Sequence, residues 1–164
     1  MLYAQWTDMV ERFGERELTQ LSDRDDTGEI NPAVLSRAID DATAFVDSYI
    51  GRVYKLPLLG CAKPATVPGA AVVYAVPPVL TRMVCDLARY YLHDQLADEK
   101  HEVVRRHTAA TQDLKNIAEG KTQLTCPWGG PPGEAINADP LVDDQAFHSF
   151  APRQINDDSL RGFA

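Results

Sequence analysis

Leu35, Ala38, Ile39, Ala42, Phe45, Val46 and Tyr49 recur at steps of three and four, with Arg37, Asp40, Asp41 and Asp47 set among them. A helix places that apolar set on one face, so the stretch predicts an amphipathic helix with a buried side and a wet side. Asn31-Pro32 opens it. Asparagine is a strong N-cap, and proline at the first helical position gives up only an N–H that has no intrahelical partner. Gly51 is the expected stop. Two shorter helical signals come earlier. Thr7 is the expected cap of the first, which runs through Met9 and Val10 to Phe13; after Gly14, Glu15 to Leu21 form the second.

Pro77-Pro78 opens a further helix, in which Val79, Leu80, Met83, Val84, Leu87, Ala88, Tyr91 and Leu92 make a broad apolar face. Arg82 and Asp86 stand four apart on it and are expected to pair. Asp98 is the expected cap of the last helix, which carries Val103, His107, Ala110, Leu114 and Ile117 and stops at Gly120. That spacing suits helix-on-helix packing but is too short for an independent coiled coil.

Between these signals the pattern fails. Residues 52–76 hold Pro57, Pro64, Pro68 and Gly69, and the run Ala70 to Val76 reads as a short strand or an extended arm. Cys126-Pro127-Trp128-Gly129-Gly130-Pro131-Pro132-Gly133 excludes regular helix. The polar remainder to Ala164 has scattered anchors at Leu141, Phe147, Phe150, Ile155, Leu160 and Phe163. A purely solvating tail is poor in such residues, so Phe147, Phe150, Leu160 and Phe163 are the candidate subunit contacts. The expected fold is all-α with little or no sheet: a small bundle of four to five helices over residues 1–122, then a Pro/Gly-rich linker and C-terminal arm over 123–164.

Charge narrows the functions this fold could serve. The formal net charge is -8 and the pI about 4.9. Surfaces that grip phosphate concentrate Lys and Arg, so the total argues against sequence-specific nucleic-acid binding while leaving room for a local basic patch. No apolar run approaches the roughly 18 residues of a membrane span, and the acidic residues that follow Met1–Trp6 do not read as a secretory signal. Cys61, Cys85 and Cys126 are odd in number and contain no C-x-x-C pair, so the expectation is reduced thiols in a cytoplasmic protein.

Asp23 to Asn31 is the sharpest local motif. Asp23, Asp25 and Thr27 stand at the first, third and fifth positions of an EF-hand loop, with Gly28, Glu29, Ile30 and Asn31 following in order. The twelfth position, where a bidentate glutamate belongs, is Val34. Asp23, Asp25, Thr27 and Glu29 are therefore candidate ligands for weak calcium occupancy, and a calcium-responsive binding module is the alternative function. The bland reading is an Asx-turn that caps the next helix. His93, His101, His107 and His148 contain no pair at H-x-x-x-H spacing, and no G-x-S-x-G or phosphate loop occurs. The expectation is a non-enzymatic chain without a tightly held cofactor.

Several runs taken together carry a family pattern: Trp6-Thr7-Asp8-Met9-Val10-Glu11-Arg12-Phe13-Gly14, Gln20 to Asp25, Thr27-Gly28-Glu29-Ile30, Tyr54-Lys55-Leu56-Pro57-Leu58, Val76-Pro77-Pro78-Val79-Leu80 and Asp158 to Phe163. The chain resembles the small Mu-like phage and prophage morphogenesis proteins encoded among head and tail genes. It departs from their pattern at Cys61 to Tyr74 and at 126–140. The resemblance implies a likeness in size and helical order to the head–tail connector (adaptor) proteins of long-tailed phages. It implies, too, a ring of copies of itself joined to portal, head and tail proteins, formed in the bacterial cytoplasm and retained in the virion.

Overall fold

The computed structural model describes residues 2–65, 67, 69–93 and 101–136. Helix α1 (Trp6–Phe13) begins one residue before Thr7, and Gln5 rather than Thr7 is its N-cap. Asp8 decides this, because its carboxylate reaches back and accepts the Gln5 N–H at 2.7 Å. Gly14, at φ +83°, turns the chain into α2 (Glu15–Ser22). Helix α3 (Pro32–Ile50) starts as expected: the Asn31 side chain accepts from the backbone N–H of Ala33 at 3.1 Å and of Val34 at 3.4 Å.

Helices α4 (Pro78–Leu92) and α5 (Glu102–Ala118) complete the bundle. His101 caps α5, its ring accepting the Val103 N–H at 3.3 Å; the expected cap, Asp98, lies outside the described residues. The long helices α3, α4 and α5 pack on one another, with α1 and α2 laid across one side. Leu35, Ile39, Val46 and Ile50 of α3 meet Leu80, Val84 and Leu87 of α4 and Leu114 and Ile117 of α5 in one buried core. Met9 and Leu18 fasten the short helices to it. Each such side chain contributes about 1.5–3 kcal/mol by leaving water, which is what holds helices as short as α1 and α2. Tyr3 is buried as well, its hydroxyl donating to Asp47 at 2.5 Å while Thr81 donates to its carbonyl at 2.9 Å.

The Arg82–Asp86 pair does not form. Arg82 reaches across to Asp113 of α5 at 3.2 Å, and Asp86, only 5% exposed, faces Arg106 at 3.6 Å. The seam between α4 and α5 supplies nearer partners than the next turn of α4. Arg89 likewise leaves its helix, meeting Glu17 of α2 at 2.6 Å and lying over the Phe13 ring at 4.6 Å.

The chain is mostly helical but not all-α. Strands β1 (Cys61–Lys63) and β2 (Val73–Ala75) form an antiparallel hairpin in the register Cys61↔Ala75, Ala62↔Tyr74 and Lys63↔Val73. The expectation of three reduced thiols also fails. Cys61 and Cys126, 65 residues apart, are joined in a disulfide, and Cys85 alone is free. Their separation in sequence hid the pair: residues 124–136 fold back as a strap, bringing Cys126 to the root of the hairpin.

Candidate assembly surface

The hairpin and the strap brace each other into a lobe at one end of the bundle. Backbone bonds run from Lys55 N–H to the Glu134 carbonyl at 2.8 Å, from Gly60 N–H to the Pro132 carbonyl at 2.7 Å, and from Ile136 N–H to the Val53 carbonyl at 2.8 Å. Buried Tyr54 accepts the Leu124 N–H on its hydroxyl at 3.0 Å. Lys55 meets the Glu134 carboxylate at 2.7 Å. Leu58 is buried against Gly133, where a Cβ would stand 3.0 Å from its methyl carbon. These ties, with the disulfide, hold the root of the lobe.

What the root carries outward is apolar. Leu59 is 58% exposed, Val73 61%, Tyr74 42% and Trp128 46%, and Val67, Val72 and Ile136 are also exposed. Val73 and Tyr74 are adjacent in a strand and so point to opposite faces, which leaves both faces of the hairpin wet. A two-stranded hairpin is at best marginally stable alone, and contiguous exposed apolar surface marks contact sites. The charge is local too. Residues 51–76 contain Arg52, Lys55 and Lys63 and no acidic residue, whereas residues 2–50 hold eleven acidic side chains against four arginines.

In the EF-hand-like loop the first carboxylate, Asp23, is held by the loop's own donors. One Asp23 oxygen accepts from the Thr27 N–H at 2.9 Å and the Thr27 hydroxyl at 3.0 Å; the other accepts from the Gly28 N–H at 2.6 Å. The amides of Thr27 and Gly28 hold the Asp23 carboxyl below its usual pKa. Asn31 N–H donates to Ser22 Oγ at 3.0 Å, closing the loop, while Val34 packs against the core. Asp25 and Glu29 are exposed, and no cluster of three or more His, Cys, Asp or Glu side chains suited to a metal occurs among the described residues. The arrangement is an Asx-type turn feeding the cap of α3.

The structure brings His93 and His101 together and sets His107 elsewhere. His107 stacks on Tyr90 with ring centroids 3.9 Å apart, and burial lowers its pKa. His93 and His101 lie 6.0 Å apart, centroid to centroid, in an open depression beside α2, where Arg89 already holds Glu17. Burial lowers the His93 pKa as well. His148 and the candidate contacts Phe147, Phe150, Leu160 and Phe163 lie outside the described residues. Burial pushes the Cys85 thiol up to about 12, which leaves it protonated and unreactive at neutral pH. No helix among the described residues is long and apolar enough to cross a membrane.

The family model described as bacteriophage Mu Gp36 matches residues 3–138, a span that takes in every helix among the described residues, the hairpin and the strap. The chain belongs to this family. Among its relatives is the Mu-like prophage FluMu protein gp36 of Haemophilus influenzae, 29% identical over 124 residues, which cover 76% of each chain. Gene product J of Escherichia phage Mu is 28% identical over 123 residues, 74% of this chain and 75% of its own. The family match confirms the Mu-like resemblance read from Trp6–Gly14, Gln20–Asp25 and Val76–Leu80. The segments where the chain departs from the family pattern, Cys61 to Tyr74 and 126–140, include nearly all of the hairpin and most of the strap.

Proposed function

We propose that this chain is a structural subunit of a Mu-like phage virion, a head–tail connector or head-completion component that acts by protein–protein assembly and not by catalysis. The observation that carries the reading is the lobe. A covalent bond and a network of backbone bonds hold a root whose outward side chains are apolar and wet, and such a surface gains most when another protein covers it. Membership of the Gp36 family supports the setting, a Mu-like phage; on the connector reading the subunit assembles in the bacterial cytoplasm and stays in the virion.

On this reading the partners are further copies of the chain in a ring, then portal or head proteins on one side and tail proteins on the other. No resident cofactor and no membrane take part. The net charge of -8 favours a wall that repels passing DNA over one that grips it. Sedimentation velocity and negative-stain imaging of concentrated protein test the reading, and rings or discrete oligomers are the expected result. Deleting the gene from an inducible prophage is expected to leave filled heads and tails unjoined. A chain that stays monomeric at all concentrations and is absent from purified virions overturns it.

A further inference from the structure

The lobe presents an apolar surface with a cationic bias, and the same chain contains a segment of opposite charge that is also apolar. Residues 137–164 hold five aspartates and two arginines, spaced among Leu141, Phe147, Phe150, Ile155, Leu160 and Phe163. Ile136, the residue that precedes this segment, is bonded to Val53 at the root of the lobe.

We propose that the exposed hairpin of one copy is the docking site for residues 137–164 of a second copy. Charge and polarity agree: Lys63 stands opposite Val73 in the hairpin register, offering a cation beside an apolar side chain to a segment that alternates aspartates with aromatic and aliphatic residues. Length agrees as well. Twenty-eight residues reach up to about 90 Å when extended, far enough to cross to a neighbouring subunit. Both strands of the hairpin are edge strands, so an incoming extended segment finds unpaired backbone groups as well as side chains. The proposal rests on the assembly reading and names the contact that assembly would use.

The test keeps the full chain. A photoreactive benzoylphenylalanine is placed at Tyr74, which is 42% exposed and outside the core, and this protein is mixed with isotope-labelled unsubstituted chain at assembling concentration. The expected crosslinks join position 74 of one chain to residues 137–164 of the labelled chain. Crosslinks confined to a single chain overturn the proposal, as do crosslinks to the helices or none at all. In parallel, Val73→Asp is expected to weaken self-association at least tenfold with the melting temperature unchanged, and Phe147→Ala with Phe150→Ala to weaken it similarly. An unchanged association constant in either variant overturns the docking. Oligomers that form with crosslinks elsewhere sink the docking and leave the assembly reading standing; a chain that never associates sinks both.

Discussion

Replacing Cys61 and Cys126 together by alanine tests how much the lobe depends on its covalent tie. The two residues are 65 apart in sequence and both are buried, so alanine fits each site without exposing new surface. In the chain-entropy account a crosslink closing a loop of that length restricts the unfolded chain by about 4 kcal/mol at 25 °C. The native state keeps its helical core, because Leu35, Ile39, Leu80, Leu87 and Leu114 make no use of the bond. Urea unfolding of the oxidised chain and of the double variant, followed by far-UV circular dichroism, measures the difference. The expected result is a loss of about 3–4 kcal/mol with the helical signal intact at zero denaturant. Hydrogen exchange should show the loss first at the Lys55, Gly60 and Ile136 amides, whose bonds join the strap to residues 53–60. Stabilities equal within about 0.5 kcal/mol would refute loop closure as the source of the lobe's order.

Calcium at millimolar concentration is expected to add at most about 0.4 kcal/mol, the mass-action gain at a ligand concentration equal to Kd, because the twelfth loop position is Val34, packed on the core, where a bidentate glutamate would supply two oxygens; a large melting shift at micromolar calcium refutes this. The His107 pKa is lowered by burial, so the unfolded chain binds the proton more readily. Stability should therefore be full above the unfolded value near 6.5 and fall as pH drops through and below it. His107→Phe, which keeps a ring against Tyr90, should flatten that slope in urea titrations run from pH 7.5 to 5. Truncation after Ile136 is expected to preserve the melting temperature while abolishing self-association, whereas truncation after Gly120 removes Leu124 and Cys126 and should lower the melting temperature by several degrees. Raising salt from about 0.05 to 0.5 M is expected to slow association of the full chain, since screening acts on the charged part of the contact; faster association at high salt contradicts the charge argument.

The helices were legible because their signal is local and repeated. Seven apolar positions on α3 and the Asn31-Pro32 opening define that helix without knowledge of anything it touches. The start of α1 was misplaced because the deciding group, the Asp8 carboxylate, acts backward onto Gln5, and Thr7 looked the better cap by residue type. One strand was legible and the other was not: Ala70 to Val76, read as a short strand or an extended arm, holds β2, while the three residues Cys61–Lys63 are too few to display an alternating pattern. The disulfide was invisible for the related reason that the strap's path is set by tertiary bonds at Tyr54, Lys55 and Gly60. In the Asp23–Asn31 loop, sequence cannot separate a calcium loop from an Asx-turn, since both need short oxygen-bearing side chains and a glycine at positive φ. The exposed apolar residues of the lobe were read as an irregular stretch. A valine's exposure is a property of the fold and leaves no mark on the pattern.

The segregation of charge bears on the kind of oligomer this subunit can build. A two-fold contact through the lobe would set Arg52, Lys55 and Lys63 of one copy against the same residues of the other, and a two-fold contact through α1–α3 would oppose two acidic surfaces. Pairing of Lys55 with Glu134 relieves the first arrangement only in part. A heterologous contact, in which the lobe of each copy receives an acidic segment of the next, brings unlike charges together at every interface and uses each surface once. Such contacts close into rings when the rotation between subunits divides the circle, and otherwise propagate as filaments. The rigid root matters to that choice. With the disulfide, the strap bonds and the Leu58–Gly133 packing holding its root, the hairpin keeps one orientation on its own subunit. A chain with a loose hairpin would make the same contact at many angles and close no ring of defined size.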